Sequence, residues 1–451
     1  MLIMGIIFCC FGCSNNNEKK DNGSKNITIT TWEKPLDDAS DVTKAIYEAK
    51  MQRIRDKFPN VNIVDIADSG DSGYRQRYDK ALMAGNAPTY YSRFSYTDIP
   101  TRIKNKTLAD ISEYVNKWEL KKEDKVITQF DDAITSDDKW YAIPSEAYLQ
   151  ATLIHKGALR KSGVNVAKMP ETWEEFSDLG QKVTDFSKPL IGYEIVGVNW
   201  TSWVYTAWVW SAGGDMVKTN DDSTYKITFN DEPGVDAACF LHDMIWKYKM
   251  TQKDILQDIS KIYSDVKSGS VCFSWASIAD FSNNDFEQYD LKMEDLSMMP
   301  MPVKDKSIKP PVLSGGEVYT FNPRATKEEL DVAWDIVTYM NYDEDELKTQ
   351  WKVNNDNKNC NIKMPGRKDL YKTKLDMLTF VPQKNKDELV DMGNNVIAEP
   401  FCPNWTELKS ELNNPLQKIY LKENITRAEV KEILDECANS LYTKYPGSFK
   451  K

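Results

Sequence analysis

The sequence predicts an α/β protein built as two lobes. Three observations lead there: strand and helix patterns alternate from residue 26 onward, threonine–glutamate pairs announce three later helices, and the chain is too long for one core. It has 451 residues, of which 41% are hydrophobic, and chains beyond roughly 250–300 residues usually divide into domains.

Asn26 to Trp32 (NITITTW) alternates polar and apolar and is rich in β-branched residues, the pattern of a first strand. Asp38 to Phe58 carries Val42, Ala45, Ile46, Ala49 and Ile54 at helical spacing, and Pro59-Asn60 ends it. Val61 to Ile66 reads as a second strand and Tyr74 to Ala84 as a second helix, stopped by Gly85-Asn86. That order implies a largely parallel sheet. Further on, Thr172 precedes Glu175, Thr326 precedes Glu329 and Thr426 precedes Glu429. Each pair is a capping box, in which the two side chains satisfy unpaired N–H groups at a helix start. Met299 to Pro311 holds Pro300, Pro302, Pro310 and Pro311 and reads as a crossing strand or linker.

Residues 1–12 (MLIMGIIFCCFG) are apolar and uncharged. The run is shorter than the ~20 residues a spanning helix needs and fits the apolar region of a signal peptide. Gly12-Cys13 followed by polar residues through Lys25 resembles a bacterial lipoprotein signal. The resemblance implies a lipid on the Cys13 thiol, with 13–25 as a flexible tether. A buried N-terminal strand is the alternative.

The formal charge of -11 argues against a nucleic-acid partner. There are only two histidines, His155 and His242, neither in a metal-ligand spacing, and no phosphate-binding glycine motif. No metal or cofactor is expected. Cys239, Cys272, Cys360, Cys402 and Cys437 contain no C-x-x-C pair and leave disulfide pairing open.

Four stretches carry a family resemblance. Lys139 to Pro144 (KWYAIP), Leu153 to Phe176 (LIHKGALRKSGVNVAKMPETWEEF), Ser268 to Trp275 (SGSVCFSW) and Leu313 to Pro323 (LSGGEVYTFNP) stand in a characteristic order. In that order the chain resembles the extracellular solute-binding proteins, family 1, the sugar-binding proteins of ABC importers that include maltose-binding protein. His155 stands where the family usually has tyrosine or asparagine. The resemblance implies a two-lobed periplasmic-binding-protein-like fold of type II, with discontinuous lobes joined by a hinge. One lobe would hold 26–140 plus 313–350, and the other 141–312 plus 351–451. It also implies a carbohydrate ligand between the lobes, permease partners, a monomer, and a lipid-anchored, extracytoplasmic location.

Sugars stack their C–H faces on aromatic rings and need hydrogen-bond partners for their hydroxyls, so a sugar site combines flat aromatics with carboxylates and amides. The chain is 11% aromatic, with 13 tryptophans. Trp32 and Glu33 fall at the C-terminal end of the first strand, the edge where open α/β sheets bind ligands. Phe94 follows a later strand, with core packing as its alternative. Glu146 and Tyr148 follow the crossing at Pro144 and are expected to face the cleft. Trp200 and Trp203 open an aromatic helix and are assigned to the site on the family pattern; Trp208 and Trp210 are assigned to the core. Trp275 is expected to stack on the ligand. Gly315 and Gly316 are expected to permit close backbone approach and unusual φ values, with Glu317 beside them binding hydroxyls. Trp405 is a final candidate, with core packing as its rival. A secreted carbohydrate-active enzyme and a surface adhesin remain the alternatives to transport.

Overall fold

The computed structural model describes residues 26–68, 73–165, 168–281 and 283–451. The expected signal segment, the tether and Cys13 lie outside these residues. β1 (Ile27–Lys34), α1 (Asp41–Lys57), β2 (Val61–Ala67) and α2 (Tyr74–Ala84) follow one another as the alternation predicts. β1 and β2 pair in parallel, with Ile27 opposite Val61. α2 stops at Gly85, whose φ of 79° is the left-handed conformation that glycine adopts most readily.

The chain continues through β3 (Tyr90–Ser95), β4 (Ala142–His155), α3 (Lys156–Ser162), α4 (Trp173–Val183), β5 (Ile191–Glu194) and α5 (Thr201–Ser211). Next come α6 (Ile259–Ser268), β6 (Val271–Ala276), β7 (Leu296–Met299), β8 (Leu313–Phe321) and α7 (Lys327–Tyr342). Last are β9 (Met364–Pro365), β10 (Ile397–Ala398), α8 (Trp405–Leu421) and α9 (Arg427–Lys444). All three expected capping boxes are present, at the starts of α4, α7 and α9. α3 has an unusual cap. His155 Nδ1 accepts the Ala158 N–H at 3.1 Å, and burial lowers the imidazole pKa to about 4, so the neutral ring can accept at pH 7.

The central sheet has eight strands in the order β10-β8-β4-β6-β5, with β3 also on β8 and with β7 and β9 also on β4. Among the described residues only β6–β5 and β8–β10 are parallel pairs in it. The expected largely parallel sheet is therefore mixed. The cause is β4, 14 residues long. Its first part, from Ala142 to Gln150, pairs antiparallel with β8. From Ala151 to Ile154 it pairs antiparallel with β6. Neighbours that return along one long strand run antiparallel to it without crossover helices.

The core divides in step with β4. Ile29, Ile54, Phe321 and Ile336 belong to one apolar cluster, and Tyr78, Tyr91, Phe94 and Val318 to another. Both flank the first part of β4. Phe176, Trp208, Phe273, Leu408 and Leu434 form a third cluster, and Leu153, Val271, Leu296 and Leu375 a fourth, around its second part. The five downstream cysteines are free thiols. No helix among the described residues is long and apolar enough to cross a membrane.

Candidate functional site

β4 passes from one pair of clusters to the other, and the polar and aromatic side chains collect at that passage. Alternation along an antiparallel pair puts directly opposed residues on one face. Glu317 on β8 is opposite both Glu146 on β4 and Ser95 on β3, and Gly315 is opposite Tyr148. Glu146, Tyr148, Gly315 and Glu317 thus share a face.

Aromatic rings extend this face. Tyr148 meets Trp203 edge-on at 6.3 Å between centroids. Trp203 in turn meets Trp275 at 4.3 Å and Trp200 at 5.3 Å, both near perpendicular. Trp200 caps the start of α5 and is 46% exposed; Trp203 is half-buried and Trp275 is buried. Trp208 and Trp210 lie in the core. The indole N–H groups of Trp203 and Trp275 are buried without a hydrogen-bond partner among the described residues. Buried donors are nearly always paired in native proteins, so two unpaired indole donors on touching rings stand out.

Trp32 belongs to a different aromatic group. It lies edge-on to Tyr91 at 5.8 Å and Tyr78 at 6.4 Å, and its indole N–H is also buried and unpaired. No ring contact among the described residues joins this group to Trp203. Glu33 is held by Lys50 from α1 in an ion pair, and its backbone N–H donates to Asp65. Its carboxylate is therefore engaged within its own lobe.

Three expectations need correction. Phe94 is 0% exposed and packs against Tyr78, Tyr91 and the Arg102 guanidinium. Side chains alternate along the strand, and Arg93 and Ser95, on the other side of β3 from Phe94, are partly exposed. Trp405 is likewise 0% exposed, its indole N–H donating to Glu399 at 2.7 Å, so it is a core residue. Gly315 and Gly316 do not adopt positive φ. They are small because rings lie over them. A Cβ on Gly315 would stand 2.2 Å from the Tyr148 ring, and one on Gly316 2.3 Å from Phe130 and 2.6 Å from the Glu146 carbonyl oxygen. Gly316→Ala is accordingly expected to destabilise the fold by about 1–3 kcal/mol, the usual cost of overpacking, measured by denaturant titration. Unchanged stability would show that the sheet yields there.

The structure adds residues that the sequence did not single out. Lys363, just before β9, forms an ion pair with Glu146 and lies 5.9 Å from the centre of the Tyr148 ring. Burial opposes the charge on Lys363, but Glu146, Glu317 and Asp280 outweigh it and hold the ammonium above its usual pKa. Glu317 is shifted upward by burial and by the Glu146 charge. Asp68, one residue past the end of β2, takes an ion pair from Arg77, the Tyr91 hydroxyl at 3.1 Å and Arg93 at 3.5 Å. Tyr74 donates to Asp98 at 3.1 Å, beside the Arg75–Asp98 ion pair. Among the described residues no group of three or more histidine, cysteine or acidic side chains is placed to hold a metal ion.

The family model for bacterial extracellular solute-binding proteins matches residues 39–346, most of the strands and helices just described. The chain belongs to this family. Its fold is also that of solved members. An ABC transporter solute-binding protein from Thermotoga lettingae, bound with α-D-tagatose, superposes with a TM-score of 0.72 at 19% identity, covering 93% of this chain and 99% of that one. A substrate-binding protein from Listeria monocytogenes in complex with cycloalternan gives 0.72 at 17% identity, over 94% and 100%. A maltose-bound protein of T. maritima gives 0.70 at 17%, over 92% and 100%. At these identities the likeness establishes the two-lobed α/β fold of solute-binding proteins. Members of the family are substrate-binding, extracytoplasmic proteins.

Proposed function

We propose that this solute-binding protein captures a carbohydrate, an oligosaccharide in the first instance, between its two lobes and delivers it to the permease of an ABC importer. The observation that carries the reading is the run of rings from Tyr148 through Trp203 to Trp275, with unpaired indole donors, beside the carboxylates Glu146 and Glu317. Flat apolar faces next to hydrogen-bonding groups are what a sugar ring requires. That the Thermotoga lettingae, Listeria and T. maritima proteins are bound to sugars favours the same ligand class here.

In this reading the lobes are 26–140 plus 313–350 and 141–312 plus 351–451, and they close by hinge motion on the ligand. Trp200, Trp203 and Trp275 come from the second lobe; Glu317 comes from the first. The chain binds without turning over its ligand, works as a monomer, and is tethered outside the cytoplasm through lipid on Cys13. A thermal-shift and calorimetric panel of neutral oligosaccharides, monosaccharides, sugar alcohols and non-sugar solutes tests it. A cognate glycan at a hundredfold excess over its Kd is expected to add about 2.7 kcal/mol of stability with no release of reducing ends. If only a non-sugar solute raises the melting temperature, the carbohydrate reading is wrong.

A further inference from the structure

We infer that Glu317 makes the site selective by charge, admitting neutral and cationic sugars and rejecting anionic ones such as uronates and sugar phosphates. The inference rests on the carbohydrate reading above and narrows it. Glu317 and Glu146 are directly opposed on one face of the β8–β4 pair, a position at which like charges destabilise each other. The ammonium of Lys363 is bonded to Glu146. Glu317, half-buried, forms no direct ion pair among the described residues, while the charges of Lys363 and Arg93 act on it from a distance.

Several other cations are held by carboxylates, and the buried Lys374 bonds to Asn361 and to the Lys363 carbonyl, its pKa lowered by burial to about 8. Arg93 and Arg77 lie on Asp68, Arg75 on Asp98, and Lys409 on Glu399. A neutral sugar meets this arrangement by donating hydroxyl hydrogens to the Glu317 carboxylate, and an amino sugar by donating N–H bonds of higher strength. An anionic sugar can still donate a hydroxyl hydrogen to Glu317, but its own charge then sits beside the Glu317 and Glu146 carboxylates, where like charges repel. Discrimination by a repulsive group is as effective as discrimination by an attractive one.

The test uses the full chain and isothermal titration with three matched trisaccharides: a neutral one, its amino-sugar counterpart and its uronate. The wild-type protein is expected to bind the neutral and amino trisaccharides and to bind the uronate at least about tenfold more weakly. Glu317→Gln keeps the shape and removes the charge, and is expected to reduce that ratio to about twofold or less while it still binds the neutral sugar. Glu317→Asp keeps the charge and is expected to keep the discrimination, which separates charge from packing should Glu317→Gln melt early. Uronate binding by the wild type as tight as neutral binding would overturn the inference and leave the carbohydrate reading intact. Unchanged discrimination in Glu317→Gln would overturn it equally. If the wild type binds none of the three while the solute panel finds a non-sugar ligand, the carbohydrate reading fails and this inference with it.

Discussion

Trp203→Ala is expected to weaken binding of the cognate sugar by roughly a hundredfold, about 3 kcal/mol, while the unliganded protein stays folded. Trp203 is the joint of the ring system. It touches Tyr148 on β4, Trp275 on β6 and Trp200 at the start of its own helix. Truncation removes one apolar seat and one indole donor, and it frees Trp275 and Tyr148 to turn away from their near-perpendicular arrangement. Aromatic residues at the centre of a binding surface carry losses of this size, whereas rim residues do not. The exposed Trp200 therefore serves as the control, with a smaller loss expected from Trp200→Ala. Calorimetric titration gives both affinities, and the melting temperature without ligand shows whether either variant has merely unfolded. Equal affinity in Trp203→Ala and wild type would remove these rings from the binding site.

How much of this was legible beforehand depends on whether the signal was local. The β1-α1-β2-α2 order and the capping boxes at Thr172, Thr326 and Thr426 are short-range patterns, and the structure reproduces them. The mixed sheet was not legible, because it follows from β4 being long enough to serve two halves of the core, a property of pairing rather than of composition. The same limit applies at the site. Glu146, Tyr148 and Glu317 were named from their place after a crossing or beside a glycine pair, and the structure sets them on one face. Arg93 was missed although it adjoins Phe94, because a one-residue error in the facing of a strand exchanges core for surface. Lys363 carried no signal at all. It reaches Glu146 across 217 positions of sequence through a two-residue strand. Asp68 did carry one: it stands just past the end of β2, where the argument used for Trp32 and Glu33 applied equally. The glycines of LSGGE were expected to allow unusual φ values, and their φ is ordinary. The rings of Tyr148 and Phe130, rather than a ligand, occupy the space above them.

Glu194→Gln is expected to stabilise the protein by about 3 kcal/mol at pH 7. Glu194 ends β5 opposite Ser274 of β6, is 0% exposed, and neither of its carboxyl oxygens accepts a hydrogen bond among the described residues. Burial, then a hydrogen bond to the neighbouring Asp265 carboxylate and its charge, only partly offset by Lys261, raise its pKa from 4.5 to about 9. The sign follows from proton counting. Between pH 4.5 and 9 the folded chain holds a proton on Glu194 that the unfolded chain has released, so stability falls as pH rises through that window. Glutamine has nearly the shape of the protonated acid, presents an N–H donor in place of the O–H, and does not titrate, so it removes the slope. The difference between variant and wild type should be near zero at pH 4, grow through neutrality and level off above pH 9, as read from denaturant titrations at a series of pH values. A gain independent of pH would mean that packing, not ionisation, is responsible. A loss of stability in Glu194→Gln at every pH would mean that the carboxyl group makes an interaction the amide cannot replace. Glu194 lies on the strand next to the one bearing Trp275, so the same variant shows whether the second lobe tolerates this buried acid only because ligand binding requires it. Sugar affinity that survives the substitution unchanged would make the acid a cost of folding alone, whereas affinity lost alongside a gain in stability would tie it to the site.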